Sequence, residues 1–250
     1  MKTFSSELGA DYGTLTFGYS QYAQLEAGDN LPSVYEAGYL PYSGVKDMRG
    51  IFYFARNARV NLVQWKMNSE NRRIAKKFDG QFTKTRTPMK DFKITEEFIA
   101  FWLSYFEKRH GKGVMPRERI ELILSFGLIS TVISYHDADG KAVGYVLEVE
   151  AQGMRHYWYS AYEMSLVKQS LGLWLMGDAV RDAHEAGVPH YYLGTVYGYK
   201  ALYKTNFEAI EWWDGSSWSG DLALLKKRAH SDDERVVSLI DEWRSTQKLF

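Results

Sequence analysis

Cysteine is absent from the 250 residues, which excludes disulfide bonds, thiolate metal ligands and cysteine nucleophiles, and fits a reducing compartment. Long apolar runs are also missing, so no segment reads as a membrane span, and Met1 to Leu8 lacks the basic-then-apolar order of a secretory signal. A cytoplasmic protein without a membrane partner is expected. The six histidines (His110, His136, His156, His184, His190 and His230) show no metal-ligand spacing, and no serine stands in a nucleophile-elbow sequence, so neither a metal site nor a covalent serine intermediate is expected. Asp137-Ala138-Asp139-Gly140 begins like a calcium loop but lacks the remaining ligands and the terminal glutamate, and reads as a turn. No internal repeat or low-complexity linker interrupts the chain.

What the chain does contain suits a globular enzyme-sized core, with 45% hydrophobic and 16% aromatic residues. Net charge is zero, yet its distribution is uneven. Between Arg56 and Lys93 eleven Lys and Arg stand against three Asp and Glu, so a cationic N-terminal third faces an acidic remainder. The only seam is near Asp91 to Thr95, dividing a basic region, 1–93, from a second part, 94–250.

The clearest pattern lies between Tyr159 and Trp213. Leu171, Leu175, Ala179, Ala183 and Ala186 repeat at helical spacing behind Ser170 as N-cap, and Gly187 and Pro189 stop the helix. A buried strand at His190 to Gly194, a short helix ending at Tyr203-Lys204 and a strand at Ile210 to Trp213 follow, giving a β-α-β unit. Upstream, strands are expected at 51–54 and 59–65, with a turn at Arg56-Asn57-Ala58. Thr95 caps an amphipathic helix, 96–110, with an aromatic core face, and Pro116 opens another. A hairpin pairs 128–135 with 142–149, Gly144 marking a bulge, and a terminal helix is expected over 232–247.

Ser170-Leu171-Gly172, Tyr191-Tyr192-Leu193-Gly194, Tyr203-Lys204 and Phe207-x-Ala209-x-Glu211 come in the order and spacing of the arginyl-tRNA protein transferases and their bacterial leucyl-transferring relatives, and the chain resembles that family. Ser69 to Lys77 is similar to the family's basic segment. The resemblance implies an α+β fold, a GNAT-like mixed sheet with flanking helices split around a cleft, preceded by a smaller N-terminal region. It departs at the family's two cysteine pairs: Phe17-Gly18-Tyr19-Ser20 stands at the first, and Phe52 and Ala55 stand near the second. Tyr35 to Tyr39 and Ser43-Gly44 resemble the helix end and turn between them.

The implied reaction moves an amino acid, arginine or leucine, from its ester on tRNA to the α-amine of a protein or peptide, with aminoacyl-tRNA as co-substrate and no other cofactor. The resemblance points to Glu163 as orienting group or base, unless it merely caps a turn, and to Tyr203 and Lys204, the cation holding an oxyanion or the terminal phosphate. Ser170, Gly172, Tyr192, Gly194 and Glu211 would bind substrate. Tyr191, Tyr192, Tyr197 and Tyr199 offer faces for a terminal adenine. Arg59, Arg72, Arg73, Lys76 and Lys77 would meet tRNA phosphates. Two other readings share these residues. One is an acyl-CoA N-acetyltransferase, for which Gln169-x-x-Gly172 fits and the bulk of Trp174 does not. The other is a tRNA-binding relative without activity.

Overall fold

A computed structural model describes residues 1–6, 10–11, 16–17, 20–43 and 50–232. Gly18 and Tyr19 of the Phe17 motif, Gly44, and the terminal helix expected beyond Asp232 lie outside the described residues. In chain order the elements are β1 (Lys2–Ser6), β2 (Ala10–Asp11), β3 (Thr16–Phe17), β4 (Ser20–Gln24), α1 (Leu31–Glu36), β5 (Tyr39–Pro41), β6 (Ile51–Phe54), β7 (Asn57–Asn61), α2 (Ser69–Phe78), β8 (Thr83–Pro88), α3 (Glu96–His110), α4 (Arg117–Leu124), β9 (Thr131–His136), β10 (Ala142–Ala151), β11 (Met154–Tyr162), α5 (Leu171–Glu185), β12 (His190–Thr195), β13 (Ile210–Trp213) and β14 (Trp218–Ser219). Tight 3₁₀ turns at Met164–Gln169 and Tyr199–Thr205 join β11 to α5 and β12 to β13.

Eight strands form the main sheet in the order β14-β13-β7-β12-β11-β10-β9-β8, and only β11 and β12 run parallel. That pair is joined through α5, the crossover a parallel pair requires. Alternation along β9 and β10 divides the core between the two faces. Ile133, Tyr135, Val143 and Val146 join α2 and α5 on one face. Val132, Tyr145 and Leu147 join the aromatic stripe of α3, Phe98, Trp102, Tyr105 and Phe106, on the other. Over β12 that second face is covered by the N-terminal unit, where Val34, Tyr35, Tyr39, Leu40 and Phe52 pack on Met154 and Tyr192.

Helix starts follow local chemistry. Thr95 accepts from the Phe98 amide, Asn68 from Asn71 and Asn30 from Ser33, each satisfying an orphan N–H of the first turn. Ser170 departs from this. It stands before α5 with φ of 73° and its side chain makes no cap bond, so it serves as a left-handed joint between the 3₁₀ turn and the helix rather than as an N-cap.

Two expectations are corrected here. Asn57 and Ala58 belong to β7, not to a turn, and β7 ends at Asn61. The seam near 93 does not part the fold, because β7 and β8 from the first part are strands of the main sheet, β7 lying between β12 and β13 and β8 beside β9.

Candidate functional site

β11 and β12 pair only from Met154↔His190 to His156↔Tyr192 and then separate, while β11 runs on to Tyr162 and β12 to Thr195. Bulges in both strands, at Trp158 in β11 opposite Leu147/Glu148 and at Leu193 in β12, turn the strands apart. The opening leaves backbone groups that no strand satisfies. Into it the 3₁₀ turn Tyr199–Thr205 sends Lys204, whose Nζ donates to the Thr195 carbonyl at 2.8 Å. Burial pulls the Lys204 ammonium down to about 8. No carboxylate among the described residues lies within ion-pair distance of it. Gly194, at φ of 81°, leaves the space beside it open: a Cβ there would stand 3.5 Å from Lys204 Nζ and 3.7 Å from His156 Nε2.

The adjoining wall is aromatic. Tyr203 is 44% exposed at the rim, and burial of its hydroxyl end, with Tyr162 beside it, pushes its pKa up to about 12. Tyr162 packs on Tyr105 with ring centres 4.7 Å apart. Its ring also lies over the start of α5, where a Cβ on Gly172 would come within 2.5 Å of Tyr162 Cζ. Across from Thr195 in β7, Asn57 is buried with both amide atoms unpaired.

Lys204 and Gly194 therefore adjoin, and Tyr203 and Gly172 both border the Tyr162 ring. The other candidates lie elsewhere. Glu163 accepts from the Ser165 amide at 3.1 Å and faces Lys141 at 4.0 Å. The Ser165 bond holds its pKa below the usual carboxylate value. It stands seven residues beyond His156 on the β11 path, on the order of 20 Å along a strand, so it caps a turn and does not meet Lys204. Tyr191 and Tyr192 are buried, which removes them as stacking faces, whereas Tyr199 is 76% exposed.

Arg59 is corrected as a phosphate ligand. It is 5% exposed, bonds Glu211 at 2.8 Å, Tyr192 at 3.2 Å and Glu36, and lies 4.0 Å over the Trp218 ring. Nε, Nη1 and one ring-covered face of the guanidinium are engaged, and with it Tyr192 and Glu211 are tied into a structural cluster. Much of the basic block is likewise spent inside the fold. Lys84 pairs with Asp178 and Asp182, Arg86 with Glu148, Glu150 and Asp182, and Arg56 with Asp232. α2 differs. Its Ile74, Ala75 and Phe78 face α5, and Arg72, Arg73 and Lys76 are exposed on its outer side with Lys77 at the edge. Arg73 is held by Glu70, and Arg72 bonds the Met67 carbonyl. Asn68, at the head of α2, donates to the Asn206 carbonyl at 2.8 Å, which ties this basic face to the turn that carries Tyr203 and Lys204.

The start of α5 also bears on the acyl-CoA reading. Trp174 does not obstruct it: the indole is turned into the core against Phe78 and Phe82 and donates to Asp79 at 2.9 Å. Tyr162 is what covers the helix start, over the amides that a pyrophosphate would need.

Sequence reasoning missed His156, Tyr35 and Asn57. The pattern of β11 holds no sign of His156, because what distinguishes it is the strand separation beside it and a partner 121 residues away.

Residues 66–204 match the Acetyltransferase (GNAT) domain family, and the chain belongs to it. Within that class the chain is similar to aspartate/glutamate leucyltransferases. It is 27% identical to that of Ruegeria sp. (strain TM1040) over 65% of this chain and 61% of the relative, and 28% identical to that of Jannaschia sp. (strain CCS1) over 70% and 63%. The chain thus spans somewhat under two thirds of these relatives' length. Among solved structures it is similar to a GCN5-related N-acetyltransferase from Sphaerobacter thermophilus, 13% identical, covering 76% of this chain and 56% of that one, at a TM-score of 0.38. The aminoacyl-tRNA transferase resemblance and the α+β GNAT-like fold are borne out. No described helix is long and apolar enough to cross a membrane.

Proposed function

We propose that this chain transfers leucine from leucyl-tRNA to the α-amine of a polypeptide that begins with aspartate or glutamate. The observation that carries the reading is Lys204, a part-buried cation fixed in the opening between β11 and β12, in a chain similar to leucyltransferases. The α-amine nitrogen attacks the ester carbonyl carbon, and negative charge develops on the carbonyl oxygen. The bond to the terminal ribose oxygen then breaks, and the proton that nitrogen loses ends on that oxygen. Lys204 donates to the developing oxyanion from a position already fixed by the Thr195 carbonyl. An ester is converted to an amide, so no nucleotide hydrolysis is needed, and an α-amine with a pKa of about 7.7–8.0 already has a useful neutral fraction near neutral pH, so only a weak base is required.

Arg72, Arg73, Lys76 and Lys77 of α2 are assigned to the acceptor-stem phosphates, and the exposed rings of Tyr199 and Tyr203 to the unpaired end that carries the ester. Glu163, tied to Ser165 and Lys141, caps the turn that leads from β11 toward α5 and takes no proton. The test offers leucyl-tRNA and arginyl-tRNA separately to peptides that begin with Asp, Glu, Lys or Ala and reads the mass added. Leucine on the acidic peptides is expected. Arginine alone, or no addition from either tRNA, overturns the reading.

A further inference from the structure

His156 lies in the middle of the main sheet with no function so far. It is 2% exposed, its Nδ1 stands 3.0 Å from the Tyr35 hydroxyl, and the two rings meet edge to face at 5.4 Å. Its other nitrogen, Nε2, and Lys204 Nζ both approach the point a Gly194 side chain would occupy. A polar side chain joining the N-terminal unit to the cleft, through the one strand position where β11 leaves β12, is more than core filling.

We propose that Tyr35 and His156 are positioning residues for the transfer reaction, the Tyr35 hydroxyl fixing the imidazole so that its Nε2–H turns to the Lys204 amine across the bare Cα of Gly194. The inference rests on the proposed role of Lys204. The tautomer follows from counting donors. Tyr35 is fully buried, and among the hydrogen bonds of the described residues its hydroxyl has only the imidazole as partner. Were Nδ1 to carry the proton, the phenol O–H would be buried without an acceptor, which costs more than the bond returns. The phenol therefore donates, Nδ1 accepts, and the ring proton sits on Nε2.

An N–H dipole turned toward an ammonium disfavours the charge, and toward a neutral amine that repulsion is relieved. Burial and the nearby Lys204 charge together hold the imidazole neutral, its pKa down to about 3. The groups facing Lys204 are His156 from β11 and the Thr195 carbonyl from β12, with Tyr35 behind the imidazole from α1. Nothing of opposite charge among the described residues stands there to restore the ordinary lysine value. The consequence for transfer is a lysine that exchanges its proton near the pH at which the acceptor amine loses its own. It can give a proton to the departing ribose oxygen and be recharged by the proton from the attacking nitrogen, with no net gain or loss.

The experiment follows single-turnover transfer from leucyl-tRNA to a peptide beginning with aspartate, from pH 6 to pH 10, beside the side-chain NMR signal of Lys204, assigned by its disappearance in Lys204→Ala. In the unaltered chain, the alkaline limb and the NMR titration share a midpoint near 8. Tyr35→Phe and His156→Phe should move both upward by about half a unit to one unit, the size of one hydrogen bond, with KM for leucyl-tRNA unchanged. His156→Gln, which keeps an N–H, should restore much of the shift. The two changes act from opposite ends of one hydrogen bond, so failure of either variant to fold leaves the other to decide. Identical midpoints in a folded variant and the unaltered chain overturn the proposal. A shifted NMR midpoint without leucine transfer overturns the proposed function and leaves the Tyr35–His156–Lys204 coupling standing. Full transfer in Lys204→Ala overturns both.

Discussion

Lys204 Nζ and the Thr195 carbonyl meet at 2.8 Å just past the last paired residues of β11 and β12, His156 and Tyr192. The separation of the strands deprives a carbonyl of its sheet partner, and a lysine from a turn further along the chain supplies the bond. Fold and chemistry are joined here, because the same bond that satisfies the sheet fixes the cation.

Lys204→Ala should lower leucine transfer by about 100-fold or more, in the range for removal of one oxyanion donor. Its effect on stability depends on pH. The folded-state pKa, about 8, lies below the ordinary 10.5, so between these values the unfolded chain binds more protons. Stability of the unaltered chain therefore rises with pH from about 8 to about 10.5, as the cost of burying charge is relieved, and below 8 that cost is present in full. Urea unfolding at pH 7.5 and 9.5 checks this: Lys204→Met should lack that rise.

Arg59→Ala should destabilise the chain by about 1–3 kcal/mol, since it removes a buried guanidinium from part-exposed carboxylates and from the Trp218 ring. Glu211 would keep only the Asn61 amide and Tyr192 only the longer bond to Glu36, and the Trp218 ring would lose its cation. Its tRNA affinity per folded molecule should be unchanged. Arg72→Glu combined with Arg73→Glu should do the reverse, leaving the melting temperature within a few degrees and weakening every tRNA alike. The salt dependence of binding should flatten by about 0.9 in log–log slope for each phosphate that is no longer neutralised. Filter binding at several salt concentrations reads both.

Much of the fold was legible because its signals are local. Helix α3 lies where the Thr95 cap and the aromatic stripe put it, and β13 spans the expected residues. The Gly144 bulge is present in the β9–β10 register, and Asp137 closes its turn by accepting from Asp139 and Lys141. β8 was not legible. Its sequence, Thr-Lys-Thr-Arg-Thr-Pro, has no apolar face, since Lys84 and Arg86 bind it to the sheet and α5 by charge. The same residues made the basic block look like a phosphate surface, for charge counted along the chain does not show which cations the fold pairs internally. At the site, motif order pointed to Lys204 and Gly172. It did not reveal that Tyr162 covers the helix start or that Tyr35 reaches His156, both of which join segments far apart in the chain.

Asn57→Leu should raise stability by about 1 kcal/mol, since a buried amide with neither atom paired costs on the order of 1–3 kcal/mol and leucine has the same branched shape. If the amide serves the reaction beside Thr195, transfer falls at least about tenfold in the same variant, the scale of a single hydrogen bond. Thermal unfolding and the leucine assay together decide, and a gain in stability with full activity would show that Asn57 has no part in the site.

Gly172→Ala tests the start of α5. The added methyl would come within 2.5 Å of Tyr162 Cζ and 2.6 Å of its hydroxyl oxygen, so the ring must leave its place against Tyr105. Overpacking of this kind costs about 1–3 kcal/mol. Tyr162→Leu in the same chain removes the atoms in conflict, and the double variant should recover most of that deficit, giving a coupling energy of about 1 kcal/mol or more in a double-mutant cycle. Transfer should not recover, because the ring that walls the cleft next to Tyr203 is gone. If the double variant regains both stability and leucine transfer, Tyr162 is packing alone and the cleft wall lies elsewhere. If it gains the ability to bind acetyl-CoA in a calorimetric titration, the Tyr162 ring is the element that keeps this helix start from accepting a pyrophosphate.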